Sequence, residues 1–187
     1  MTTSFCLTML MLMPLSGGGL FATGEAGSPP KPNILVVYFS HSGNTRMMAE
    51  MIKEETGADI FEIVPVSAYP KEYRVLTEQA RKEIHAGFKP QIKTGDGSIE
   101  RYDVVYVGSP NWWSTIAPPV ATFLSEHPME GKTLIPFMTH GGGGMGHSER
   151  DIRALCPRAT VLKGLPVQGD EVEHAREEIV KWLKTHM

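Results

Sequence analysis

An open α/β sheet of five parallel strands, with helices on both faces, is the fold this sequence predicts, and three observations predict it. Short runs of apolar, β-branched residues recur without polar alternation, the pattern of strands buried on both sides. Each run is followed by a stretch with apolar side chains at three- and four-residue spacing, the pattern of a helix with one buried face. Five such units follow one another between residue 33 and the end of the 187-residue chain. Right-handed crossovers then give a doubly wound sheet, and a closed eight-fold barrel would need many more residues.

The first strand is Ile34-Leu35-Val36-Val37-Tyr38-Phe39, and from Asn44 the spacing turns helical, with Met47, Met48, Met51 and Ile52 on one face and Gly57 as the stop. A second strand runs from Asp59 to Val64. Pro70 opens a second helix whose inner face carries Tyr73, Leu76, Ala80 and Ile84. Lys89 to Arg101 is polar around Gly95-Asp96-Gly97 and reads as a loop. The third strand, Val104 to Gly108, leads into a Trp-rich loop and then a helix from about Ala117 with Val120, Phe123 and Leu124 inward. The fourth, Leu134 to Thr139, opens into glycines 141 to 144. Pro136 lies inside it and removes a ladder hydrogen bond, so a bulge, or hydrogen bonding that begins after it, is expected. Ser148 reads as the cap of a short helix with Asp151 at its third position. The fifth strand, Ala159 to Leu162, is broken at Gly164 before Leu165-Pro166-Val167. Asp170 and Glu173 then form the start of a last helix that buries Val172, Ala175, Ile179, Trp182 and Leu183.

Composition narrows the function. A formal net charge of −3 offers no electrostatic footprint for nucleic acid. Two cysteines, Cys6 and Cys156, are too few for a disulfide scaffold or a four-cysteine zinc site, and the seven histidines form no ligand motif. Residues 1 to 24 contain no Lys, Arg, Asp or Glu. Their apolar run from Phe5 to Leu15 is too short to span a bilayer but fits the core of a secretory signal, with Ala22 and Gly24 placed for cleavage before Glu25. Export to the periplasm or the medium is the expected fate, against which stand the absence of a basic residue in Met1-Thr2-Thr3-Ser4 and the interruption at Pro14. The alternative is an N-terminal extension on a cytoplasmic protein. Residues 25–32 then form a linker and 33–187 the single domain.

In a doubly wound sheet ligands bind outside the carboxyl ends of the strands, which directs attention to three loops. Ser40-His41-Ser42-Gly43-Asn44-Thr45 joins a strand to a helix start, and its hydroxyls, amide and free N–H groups make a cradle for a phosphate. It holds no lysine, so it is not a Walker A loop, and an ordinary capped turn is the plain alternative. Ser109-Pro110-Asn111-Trp112-Trp113-Ser114-Thr115 puts two adjacent indoles at a strand end, at least one of which lines the cleft and offers a flat face to a planar ring. Thr139-His140-Gly141-Gly142-Gly143-Gly144 lets backbone approach a ligand closely. The glycine run formally satisfies a dinucleotide fingerprint and its His-Gly-Gly-Gly imitates an esterase loop. The first lacks the acidic residue about 20 positions on, and the second lacks a later nucleophile elbow. Cys156 reads as a small buried apolar residue.

These three loops, with the ILVVYF strand before the first, resemble the flavodoxin superfamily, in its bacterial flavodoxin-like branch with paired tryptophans. The resemblance extends over about Asn33 to Met187 and implies a flavodoxin-like strand order 2-1-3-4-5. It implies FMN as cofactor and one- or two-electron transfer as function. Ser40, Ser42, Gly43, Asn44 and Thr45 would hold the phosphate; Pro110, Asn111, Trp112 and Trp113 would flank the isoalloxazine; Thr139, His140, Gly141 and Gly142 would lie at its other edge. His41 departs from the small or polar residue common in that loop and is expected to point to solvent. An electron carrier serving redox partner proteins or a small-molecule acceptor is the leading expectation. A flavin-dependent NAD(P)H or quinone reductase is the alternative, for which Lys89 to Arg101 and the Trp112–Trp113 loop are the stretches that could wall a second pocket.

Overall fold

The computed structural model describes residues 31–93 and 98–186. The expected signal, residues 1–24, and the turn centre Gly95-Asp96-Gly97 lie outside them.

Ile34–Tyr38 forms β1. Its successive side chains point to opposite faces, and both faces are covered. Leu35 and Val37 enter one core with Val120, Phe123, Leu134 and Ile152, while Val36 and Tyr38 enter the other with Met48, Ile52, Ile135, Phe137 and Ile179. Helix α1, Asn44–Thr56, ends at Gly57, whose N–H donates to the Lys53 carbonyl. Strand β2, Asp59–Glu62, lies parallel to β1. It is shorter than predicted because the chain changes partner. The Ile63 N–H still donates to the Tyr38 carbonyl, but Val64 and Val66 bond to Lys93 and Gln91.

Helix α2, Tyr73–His85, begins later than Pro70. Leu76 and Ala80 are buried as expected, whereas Tyr73 is 79% exposed and stands at the rim of a cleft. Strand β3, Val104–Trp112, runs four residues beyond the predicted Gly108 because β4, Thr115–Ile116, folds back on its end in antiparallel pairing. The Trp-rich loop is therefore a hairpin. Helix α3 is Pro118–Glu126, with proline in its first turn where no N–H is needed.

Strand β5 is Thr133–His140. Its outer neighbour comes in two pieces, β6 at Thr160–Val161 and β7 at Leu165–Gln168, both parallel to β5. Pro136 faces the interruption. The Leu162 N–H reaches the Leu134 carbonyl on one side of it, and pairing with β7 resumes at Phe137 on the other. The break in the outer strand takes up the missing proline donor, and neither expectation holds as stated: bonding on that side starts before Pro136 with β6, stops beside it and resumes with β7. Helix α4 is Ser148–Leu155. Ser148 is its first residue and not its cap, and the Ser148 Oγ is buried without a partner among the described residues. Asp170 and Glu173 do not cap a helix either. A single 3₁₀ turn, Val172–His174, precedes α5, Arg176–Leu183, which has no side-chain cap. The five residues predicted for its inner face are nonetheless all buried.

The sheet order is β2-β1-β3-β5-β6, with β7 completing the last position. This is the predicted order, its fifth strand in two segments and the small β4 added. Helices α1 and α5 cover one face, α3 and α4 the other. The order reverses between β1 and β3, and there the carboxyl ends diverge to leave a crevice.

Candidate functional site

A cleft of about 650 Å³ opens at that point. Its walls come from all three predicted loops: Ser42 and Asn44, Pro110 to Trp113, and Thr139 to Gly141. Ser40, Gly43, Thr45 and Gly142 are not on the wall but build it. The Gly43 N–H donates to the Ser40 Oγ at 3.1 Å, and Gly43 takes a φ of 100°, which swings the chain into α1. Helix α1 has no side-chain cap and no acidic residue in its first turn. Among the described residues, no acceptor takes the N–H groups of Asn44, Thr45 or Arg46. A helix start with open donors is an anion site. The Arg46 guanidinium is engaged elsewhere, paired with Glu62.

Thr45 is buried, and its Oγ1 lies 2.7 Å from the equally buried Thr139 Oγ1. This hydroxyl pair joins the start of α1 to the end of β5. One hydroxyl donates to the other, so one proton of the pair remains free for a further acceptor. Beside Thr139, the His140 Nδ1 accepts the Gly142 N–H at 3.0 Å. The neutral ring therefore carries its proton on Nε2.

The two indoles divide their roles. Trp112 is half-buried and meets Tyr69 edge to face at 4.9 Å between centroids, Phe39 at 5.5 Å and His41 at 6.1 Å. His41 therefore turns against Trp112 on the cleft wall and not to solvent, since the indole offers it apolar surface. Burial, reinforced by the Glu83 carboxylate that accepts its proton, pushes the Tyr69 phenol far above its ordinary range. Trp113 is 51% exposed. It and Ser114 form the two-residue turn of the hairpin with φ of 52° and 66°, the left-handed geometry that usually selects Asn-Gly. Three contacts hold this turn. The Trp113 Nε1–H donates to the Thr77 carbonyl at 2.9 Å, the Arg81 guanidinium sits 5.7 Å from the Trp113 ring centre, and the His147 N–H donates to the Ser114 carbonyl at 2.5 Å. Gly146 is needed beside it, because a Cβ there would stand 2.3 Å from the Ser114 oxygen. The Asn111 Nδ2 donates to the Gly144 carbonyl at 2.7 Å and so ties the second loop to the third.

Two walls were missed in the sequence. Tyr73, Leu76, Thr77 and Ala80 of α2 form one, and Gln168 at the end of β7 with Gly169 and Asp170 after it form the other. The second was within reach, since it too follows a strand's carboxyl end. The first was hidden because the same helical spacing that marks a core-facing stripe also marks the cleft-facing one. The described parts of Lys89 to Arg101 do not line the cleft. Ile92 bridges to Pro65, and Arg101 pairs with Asp59 at the start of β2, the opposite end of the sheet. Among the described residues, no group of three or more His, Cys, Asp or Glu side chains could hold a metal ion, and no helix is long and apolar enough to cross a membrane.

The fold and this cleft together define a doubly wound α/β protein with an anion cradle at one end of its crevice and aromatic walls at the other. The sequence profile of the flavodoxin family, Flavodoxin_4, matches residues 33–186, and the chain belongs to that family. A protein assigned as a flavoprotein from Bacteroides uniformis is similar in structure at a TM-score of 0.74 and 27% identity, over 83% of this chain and 99% of that one. Another, from Bacteroides eggerthii, has a TM-score of 0.68 and 28% identity, over 80% and 98%. A flavoprotein from Lactobacillus acidophilus solved in complex with FMN shares the fold at a TM-score of 0.65 and 23% identity, over 77% and 98%. No curated protein matches the chain.

Proposed function

We propose that this protein binds FMN in the cleft and serves as an electron carrier, on the paired-tryptophan branch of the family. The observation that carries the reading is the coincidence, in one crevice, of an uncapped helix start and a wall of indole and backbone. The open N–H groups of Asn44, Thr45 and Arg46, the Ser42 hydroxyl and the free proton of the Thr45–Thr139 pair would hold the phosphate. Each charge-assisted hydrogen bond contributes about 1.5 to 3 kcal/mol, so a few of them outweigh the helix dipole, worth about 0.3 to 1 kcal/mol. Pro110, Asn111, Trp112 and Trp113 would flank the ring, and Thr139, His140 and Gly141 its other edge. FMN supplies the one- and two-electron chemistry, while the chain supplies stacking, water exclusion and a His140 Nε2–H at the rim.

A reductase reading rests on the α2 wall, which with Trp113 leaves a flat second substrate a place to lie. Against pyridine nucleotides, the lining holds no Lys or Arg among the described residues to meet their phosphates. Stopped-flow reduction of the FMN-loaded protein separates the two. A carrier is reduced slowly by NADPH and rapidly by dithionite or a reductase partner. Fast, saturable NAD(P)H turnover with a quinone would replace the carrier reading with the reductase one.

A further inference from the structure

A chain of groups leads back from the cleft wall, and the two behind Trp112 have no part in the flavin site proposed above. Trp112 lines the cleft, Tyr69 packs edge-on behind it at 4.9 Å, and the Tyr69 Oη donates to the Glu83 Oε2 on α2 at 2.5 Å. Tyr69 itself is 8% exposed and does not line the cleft. The other Glu83 oxygen accepts from Gln79 Nε2 at 2.8 Å, which fixes the carboxylate. Indole and phenol are the side chains that give up one electron most readily, and a phenol that does so becomes a strong acid. Here its proton already points at a carboxylate.

We propose that Trp112, Tyr69 and Glu83 form a proton-coupled path that returns one electron to a strong oxidant held in the cleft, the photoexcited isoalloxazine being the oxidant meant. The proposal rests on the FMN reading above. The balance is simple. The oxidant takes one electron from the Trp112 indole; Tyr69 returns one electron to the indole; the phenolic proton passes along the existing hydrogen bond to Glu83. The net result is a ring reduced by one electron, a neutral tyrosyl radical and a carboxylic acid. Electrostatics select this route over the second indole. The Arg81 guanidinium at the Trp113 ring opposes positive charge there, whereas Trp112 has a carboxylate one residue behind it.

Laser-flash absorption of the full chain loaded with FMN tests this. Wild type should show an indole radical that decays into a tyrosyl radical. Tyr69→Phe should keep the indole signal and lose the tyrosyl one, at unchanged FMN affinity. Glu83→Gln should slow tyrosyl formation about tenfold, equivalent to about 1.4 kcal/mol. No tyrosyl radical in wild type, its persistence in Tyr69→Phe, or an unchanged rate in Glu83→Gln would each overturn the proposal. An apoprotein arm separates this from FMN binding. With photogenerated tris(bipyridine)ruthenium(III) as oxidant, an EPR tyrosyl signal lost in Tyr69→Phe supports the path even where FMN is not taken up, and its absence counts against it.

Discussion

The Thr45–Thr139 pair shows what a residue does that its type alone does not reveal. Both were assigned to the cofactor from loop position, yet they are 94 residues apart and bonded to each other in a buried environment. No spacing rule could show that. Replacing either by Ala leaves the other buried and unpaired, which costs about 1 to 3 kcal/mol. The double variant should therefore lose less than the two singles together, with a coupling of about 1 kcal/mol in a urea-denaturation cycle. Ser42 differs, because its side chain is exposed on the cleft wall and makes no hydrogen bond among the described residues. Ser42→Ala should weaken FMN by about one to two decades and riboflavin hardly at all, as titrations with each ligand would show. Away from the cleft, burial pushes the Cys156 thiol from its ordinary 9.0 up to about 11. The unfolded chain loses that proton first as pH rises. The folded state is therefore unaffected below pH 9 and loses up to about 2 to 3 kcal/mol between pH 9 and 11. Cys156→Ala should flatten this alkaline limb in denaturation midpoints measured across that range.

At the scale of elements, the hairpin between β3 and β4 is where sequence and structure part most. The apolar run ends at Gly108, so nothing in the pattern announces that the strand continues, and a two-residue partner is too short to leave a period of its own. Its turn also lacks Asn-Gly. Trp113 and Ser114 take the left-handed geometry because Thr77, Arg81 and His147 hold them in it. Gly146→Ala should therefore be severe: the Cβ has no room against Ser114, and φ is 55°. We expect a loss of about 2 kcal/mol or more in the urea midpoint, whereas Gly141→Ala, with nothing within 4 Å of the added carbon, should be mild. Elements whose identity rests on long apolar periodicity, β1, α1, β5 and the inner face of α5, were legible because burial on a defined face leaves its period in the chain. Caps were not. Ser148, Asp170 and Glu173 have cap-forming side chains, but tertiary packing placed the helix starts elsewhere.

For the molecule as a whole, the open doubly wound sheet was legible because alternating strands and helices with right-handed crossovers admit few topologies; the strand order came from the family resemblance, and the site followed from where such a sheet reverses. The α2 wall did not follow, since it depends on how far a helix stands off the sheet. Export remains a proposal on residues 1–24. Mass spectrometry of protein from its native host should find Glu25 or a close neighbour as the first residue, and an intact chain in the cytoplasm would refute it. The central claim is narrower: the crevice between the loops after β1, β3 and β5 holds FMN by its phosphate and its ring. Titration of the apoprotein with FMN, followed by flavin absorption and fluorescence, tests it most directly. The account predicts uptake of one FMN per chain, with quenched fluorescence and affinity well above that for riboflavin. A colourless protein that takes up no FMN, or binds the two flavins alike, would contradict it.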